Sequence, residues 1–114
     1  MNKLLMTLLM VTSLMHGQDI IDTNKFNETS GIVVIEFTED WNEKNQCHWI
    51  KDLSDAQVFR MNLSSELAKK MKVKSIPTVV IFKDTEFIQI FEADISFSLP
   101  KNTKDNVQNT INNL

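Results

Sequence analysis

Residues 31–37, GIVVIEF, constrain the fold more than any other stretch of this chain. The run is continuously apolar and rich in β-branched residues, which is the pattern of a strand buried on both faces of its sheet. Glu36 is the one charged residue within it. The stretch predicts a central strand and, with the elements that surround it, an α/β sandwich.

Helices are predicted at four places. The first is a polar turn over residues 24–29, and the third is a short amphipathic helix that begins at Ser64 or Ser65. The last is a terminal helix over residues 103–114. The second helix lies between the first and the third, and Asp40 or Asn42 can cap it. Its inward residues, Cys47, Ile50 and Leu53, recur at every third position.

Three further strands are predicted. Residues 57–63, QVFRMNL, alternate between apolar and polar, whereas residues 79–82, VVIF, are wholly apolar. Residues 83–86 form a turn into the last strand, FIQIFEA, at 87–93. The final two strands are therefore expected to form an antiparallel hairpin ahead of the terminal helix.

Size and charge narrow the functional classes. With 114 residues the chain is large enough for one domain with a single core. Its net charge is −3, and acidic and basic residues are mixed along it without a basic stripe. Nucleic acid is therefore not expected as a partner.

The first residues have the layout of a secretory signal. Lys3 gives a short positive segment, and residues 4–15 are almost wholly apolar, a run shorter than the roughly 20 residues that cross a bilayer. Cleavage is expected after Gly17, with Ser13 as the alternative; an apolar first helix of the fold is less favoured. We expect a signal peptide at 1–17 and a domain at 18–114. That domain would be periplasmic or secreted, with no membrane span after cleavage.

Cys47 is the only cysteine of the chain. In an oxidising compartment it cannot form a disulfide within the chain. It is either buried and inert or exposed to another chain, in which case a disulfide-linked dimer is the expected product.

Three stretches carry a resemblance to the thioredoxin family: VVIEFTEDW at 33–41, KVKSIPTVVIFKD at 72–84, and the hairpin with the terminal helix. The resemblance covers roughly the whole of the expected mature chain. It is strongest to short exported thioredoxin-like proteins with a trimmed site helix, of the kind found in Bacteroidetes. It implies a thioredoxin-like three-layer sandwich, whose mixed sheet ends in an antiparallel hairpin and a terminal helix.

The family places Trp-Cys-Gly-Pro-Cys at the end of the central strand. Aligned on Trp41, Asn42 stands at the position of the attacking cysteine and Asn45 at that of the resolving one. Family chemistry needs a thiolate there, and an asparagine side chain supplies no nucleophile. The site is degenerate, the dithiol mechanism is not available, and the chain is not expected to be an oxidoreductase of that type.

Cys47 remains as a candidate nucleophile. Its spacing with Ile50 and Leu53 predicts that it faces the core, and buried cysteines are common. An ordinary pKa near about 8.5 leaves only a small thiolate fraction at neutral pH. His48 is adjacent, but neighbours on a helix point about 100° apart, so a Cys-His couple is not favoured.

Glu36 and Arg60 are the candidate ion pair. The resemblance places Glu36 where thioredoxins keep a buried carboxylate and Arg60 where they keep its lysine partner. An unpaired buried carboxylate is costly, so we expect the two to form a partly buried pair with a structural role. The alternative is that Glu36 tilts into solvent.

Pro77 is the second inherited feature, and the resemblance implies a cis peptide bond before it. In the family the preceding backbone pairs with an extended segment of a client protein, a mode that needs no thiol. The predicted binding residues are Trp41, Ile76, Pro77 and Thr78, edged by Ala93 and Asp94. The alternative is that Trp41 and Pro77 only contribute to packing.

No cofactor or metal is expected. The sequence has no Gly-rich phosphate loop, and His48 and Cys47 have no companions at ligand spacing. Two functional hypotheses follow: a non-catalytic binding protein of the cell envelope, or a monothiol redox protein that acts through Cys47. A third, weaker one is action through a Cys47-linked dimer.

Overall fold

The computed structural model describes residues 20–114, so the predicted signal peptide lies outside the described residues. The elements of the described part are α1 (Thr23–Asn27), β1 (Ile32–Thr38), two 3-10 helices (Asp40–Asn45 and His48–Asp52), β2 (Gln57–Asn62), α2 (Glu66–Lys70), β3 (Thr78–Lys83), β4 (Glu86–Glu92) and α3 (Thr103–Asn112). No helix within that part is long and apolar enough to cross a bilayer.

The four strands form one mixed sheet in the order β2-β1-β3-β4. β1 runs parallel to β2 and antiparallel to β3, and β3 pairs with β4 as a hairpin. The predicted central strand is confirmed, because β1 has a neighbour on each side and residues 33–38 are all buried. Its unbroken apolar pattern follows from being covered on both faces.

Apolar side chains cover both faces of the sheet, which makes three layers. On one face α1 and α2 pack against alternate residues of β1, with a cluster that includes Phe26, Leu67, Val33, Ile35 and Phe37. On the other face lie the 3-10 helices and α3, with a cluster that includes Ile50, Leu53, Val107, Ile111 and Val34. The predicted sandwich with its C-terminal hairpin and terminal helix is confirmed.

The turn between β3 and β4 forms without glycine. Asp84 and Thr85 both have positive φ values, 52° and 66°, as the tight turns of hairpins require. Asp84 Oδ1 also accepts the backbone N–H of Gly31 at 2.7 Å. The turn is therefore tied to the start of β1 as well as to its own hairpin.

The prediction of a single helix after Trp41 is wrong. Two short 3-10 helices replace it, and Glu39, rather than Asp40 or Asn42, precedes the first without a side-chain cap bond. A 3-10 helix has three residues per turn, so side chains at i and i+3 share one face. The recurrence at threes is the pattern of this helix type.

Candidate functional site

The site lies where the first 3-10 helix meets the loop before β3 and the loop after β4. Trp41 stands on that helix with 66% of its surface exposed. Its ring packs edge to face against Phe97, with centroids 5.3 Å apart. Phe97 is itself 46% exposed, so the two rings form an aromatic pair at the surface.

Asn42 ties these loops together beneath the aromatic pair. Its Nδ2 donates to the carbonyl of Phe97 at 3.2 Å and, at the longer distance of 3.4 Å, to that of Ile76. Asn45 Nδ2 in turn donates to Asn42 Oδ1 at 3.0 Å. We call these two residues the asparagine clasp, since the side chains at the expected thiol positions hold the site closed.

Three of the four predicted binding residues are buried. The Ile76–Pro77 peptide bond is cis, Ile76 and Thr78 are 3% and 0% exposed, and Pro77 is buried with them. The carbonyl of Pro77 accepts the N–H of Ala93 at 3.2 Å. Only Trp41 of the predicted set is accessible, and the Ile76 carbonyl already accepts from the Asn42 amide.

Cys47 lies between the two 3-10 helices and is 3% exposed. Burial is the main cause that raises the pKa of its thiol well above the ordinary value. The carboxylate of Glu36 raises that pKa further, and Arg60 opposes the effect more weakly. The prediction of an inward-facing thiol is confirmed, and burial favours the neutral form of this thiol by raising its pKa. The adjacent His48 is exposed.

Glu36 is fully buried and bonded through both carboxylate oxygens. Oε1 accepts from Arg60 Nε at 3.1 Å, in an ion pair whose arginine is 19% exposed. Oε2 accepts the backbone N–H of Cys47 at 2.8 Å. One side chain thus joins β1 to β2 and to the link between the 3-10 helices, and it does not tilt into solvent.

The loop after β4 is a compact turn built on Asp94. The N–H of Asp94 donates to the carbonyl of Ser98, and the N–H of Phe97 donates to the carbonyl of Asp94. Hydrogen bonds from the Ser96 hydroxyl and backbone N–H hold the pKa of the Asp94 carboxyl below its usual range. This turn presents Phe97 with a positive φ of 60° and leaves Ile95 98% exposed.

Sequence reasoning missed Phe97 and the clasp. Phe97 falls in the segment DISFSLP, which alternates between polar and apolar residues as a strand does, but the structure has a turn there. Its contact with Asn42 spans 55 positions, so no local pattern indicates it. Among residues 20–114 there is no group of three or more His, Cys, Asp or Glu side chains placed to hold a metal ion.

Comparison with known proteins establishes the fold of this chain but not its activity. No protein-family model matches the sequence, and no curated protein matches it. A thioredoxin from Halobacterium salinarum NRC-1, solved as a point mutant, is 18% identical and superposes with a TM-score of 0.63 over 84% of this chain and 88% of its own. Malassezia sympodialis thioredoxin is 20% identical, with a TM-score of 0.58 over 85% and 90%.

A third similar structure comes from work on the thiol resolving mechanism in yeast mitochondrial 1-Cys peroxiredoxin. It is 18% identical, with a TM-score of 0.62 over 87% of this chain and 97% of its own. Likeness at this level of identity establishes the fold alone. The chain has a thioredoxin-like fold with a single cysteine.

Proposed function

We propose that this thioredoxin-fold protein is a non-catalytic binding protein of the cell envelope, which recognises a segment of another protein. One observation carries the proposal: an aromatic pair, Trp41 and Phe97, is exposed at a site that has no accessible thiol. The fold retains the platform of a thiol oxidoreductase while the reactive groups are missing from its surface.

Exposed aromatic side chains are the main support for binding. A large apolar surface left in water is unfavourable by roughly 25 cal/mol per Å², and tryptophan is enriched among the residues that dominate interfaces. Ile95, in the turn that carries Phe97, is exposed as well. We call Trp41, Phe97 and the aliphatic Ile95 the aromatic patch, after its two rings. A partner that covers the patch buries apolar surface that the free protein leaves in water.

The clasp decides how a partner docks. The sequence suggested that an extended client segment would pair with the backbone of Ile76. That carbonyl is buried under the Asn42 amide, so strand addition requires the clasp to open first. Docking on the aromatic patch requires no such change. We therefore assign recognition to side chains of the patch rather than to backbone pairing.

The envelope location rests on the amino-terminal sequence. The apolar run at residues 4–15 behind Lys3 has the layout of a secretory signal. A single cysteine that is buried is also compatible with an oxidising compartment, because it offers no thiol to other chains. N-terminal sequencing of the protein recovered from the periplasm or the medium tests this, with a new terminus at Gln18 expected.

A selection from phage-displayed random peptides tests the binding function. The wild-type protein is expected to enrich a recurrent peptide class, and Trp41→Ala is expected to lose it. Phe87→Ala is the matched control, since Phe87 is 49% exposed and pairs with Phe82 at the far end of the sheet. Failure of the wild type to enrich any class, or equal enrichment by Trp41→Ala, would contradict the proposal.

The alternative, a monothiol redox protein, has no observation in its favour. It needs Cys47 to be accessible and partly ionised, whereas the thiol is buried and its pKa is raised. A dimer linked through Cys47 needs the same access. Reaction of the folded protein with glutathione, followed by intact-mass spectrometry, separates these alternatives from the proposed function.

A further inference from the structure

The net charge of the chain is concentrated around the aromatic patch. Three segments frame the patch: residues 39–46, 74–77 and 92–98. Together they hold five carboxylates and two lysines, a net charge of −3. Since the whole chain also sums to −3, the remaining residues balance one another. The binding face is therefore acidic on a molecule that is otherwise electrically neutral.

Three exposed carboxylates stand at the edge of the patch. Asp40 and Glu43 lie one 3-10 turn apart, on either side of Trp41 in the chain. Asp94 belongs to the turn that presents Phe97, and its depressed pKa keeps it ionised. Among residues 20–114 the single ion pair is that of Glu36 with Arg60, so none of the three is paired with a cation from that part of the chain. We call them the acidic rim.

Part of the rim faces a depression at the first 3-10 helix. Asp40 and Glu43 line a hollow of about 240 Å³, together with Thr38, Gln46 and Asn62. Thr38 is only 5% exposed, and its hydroxyl has no partner within residues 20–114. Two carboxylates and an unused hydroxyl acceptor thus meet in one hollow that is open to solvent.

The charge of the hollow favours a cation. Arg60 also borders it, but its charge is matched by Glu36, and Asp40 and Glu43 remain in excess. The 3-10 helix that carries Asp40 and Glu43 also carries one cation, Lys44, whereas the rim has three carboxylates. A lysine or arginine side chain presents only donors, which complement the carboxylates and the Thr38 hydroxyl.

We propose that the partner is a protein segment with an apolar residue for the aromatic patch and, beside it, a lysine or arginine that enters the hollow. The inference rests on the proposed binding function and specifies the chemistry of its partner. A segment of this kind satisfies the apolar and the acidic surfaces together. Nucleic acids and anionic membranes are repelled by the same rim.

Two variants isolate the electrostatic part. Asp40→Asn/Glu43→Gln/Asp94→Asn removes three charges and keeps an acceptor oxygen at each position. Its matched control, Glu28→Gln/Asp55→Asn/Glu86→Gln, removes three exposed charges elsewhere. Thr38→Val keeps the shape of the side chain and removes the unpartnered hydroxyl. Because that hydroxyl has no bond to lose, Thr38→Val is expected to fold at least as stably as the wild type.

The phage-displayed library supplies the probes, and fluorescence anisotropy of the selected peptides supplies the affinities. We expect wild-type selections to be rich in lysine and arginine next to apolar residues. The rim variant should bind the selected peptides about tenfold more weakly, which lies within the range for three exposed ion pairs. Thr38→Val should weaken them about threefold to tenfold, and the three-charge control should not change the affinity.

Each other outcome is decisive. Enrichment of neutral or acidic peptides would overturn this inference and leave the proposed binding function standing. Enrichment of none would overturn both. A dimer that forms with rising protein concentration, and is lost in the rim variant, would overturn it in favour of a second copy of this chain. Equal affinities for the wild type, the rim variant and Thr38→Val would show that the basic residues bind elsewhere.

Discussion

At the scale of single residues, Glu36 has a structural task. Its two oxygens bond the Arg60 guanidinium and the Cys47 backbone N–H, so a fully buried carboxylate is satisfied on both sides. Taking either partner away would leave a charge or a polar group unpaired in the core, which costs far more than the net gain of the pair itself. The arrangement stabilises the fold through an ion pair and a backbone bond, neither of which involves a thiol group.

Glu36→Gln tests this role. An amide has one acceptor oxygen, so either Arg60 or the Cys47 N–H must face a donor. We expect the free energy of unfolding in urea to fall by about 2–3 kcal/mol. Glu86→Gln, on the exposed start of β4, should stay within about 0.5 kcal/mol of the wild type. Equal stability of the two variants would contradict the assigned bonds.

Cys47 gives a stability signal at alkaline pH. Burial raises the pKa of its thiol in the folded protein, so the neutral form is favoured by folding. The contribution is complete below the unfolded pKa of about 8.5 and is lost as the pH rises above it, since the unfolded chain then releases a proton that the folded one keeps.

The comparison is between the wild type and Cys47→Ala in urea at several pH values. The wild type should lose stability relative to the variant above about pH 8.5, by at most about 1.4 kcal/mol per pH unit. Their difference should be constant below that pH. A difference that stays constant up to pH 10.5 would mean that the thiol titrates normally in the folded state.

At the scale of elements, the clasp is the feature that sequence could not supply. The alignment identified Asn42 and Asn45 as the occupants of the thiol positions, but their bonds depend on where the loop after β4 lies. The helix type was also missed, because a recurrence at threes was assigned to an α-helix. Strands were predicted well, since buried β1 and the paired β3 and β4 carry their patterns locally.

Asn42→Ala should loosen the loop that carries Phe97. The substitution removes the Nδ2 bonds to two carbonyls and the acceptor for Asn45. We expect a loss of about 1–3 kcal/mol in unfolding free energy and faster amide hydrogen exchange at Phe97, whose N–H bonds within the turn. Asn45→Ala, which keeps both carbonyl contacts, is the milder control. Unchanged exchange at Phe97 in Asn42→Ala would contradict the clasp.

The β3–β4 turn stores strain that glycine would relieve. Thr85 is β-branched and has a φ of 66°, a region that costs such a side chain of order 1 kcal/mol. Thr85→Gly is therefore expected to raise the free energy of unfolding by about 0.5–1 kcal/mol. The loss of the hydrogen bond from the Thr85 hydroxyl to the Asp84 carbonyl reduces this gain. Gln89→Gly, within β4, should lower it. A destabilised Thr85→Gly would contradict the turn geometry.

At the scale of the whole molecule, the fold was predictable and the state of the site was not. Local patterns and three stretches of resemblance were enough for the sandwich, because hydrophobic period and turn residues report on nearby contacts. Closure of the site depends on long-range contacts such as that of Asn42 with Phe97. The charge around the aromatic patch likewise depends on which segments the topology brings together.

The two thiol positions and the lone cysteine together define the chemistry available to the molecule. Asparagines occupy both thiol positions. The lone cysteine, Cys47, is buried, and the pKa of its thiol is raised. The aromatic patch and the acidic rim are accessible. We therefore expect the folded protein to present no reactive thiol.

Intact-mass spectrometry after incubation with oxidised and reduced glutathione tests this expectation. We predict no glutathione adduct on the folded protein at neutral pH and one adduct after denaturation. Cys47→Ser should show none in either state. A stable adduct on the native wild type, absent from Cys47→Ser, would mean that the thiol is accessible. It would contradict the non-catalytic function proposed here and favour a monothiol redox protein.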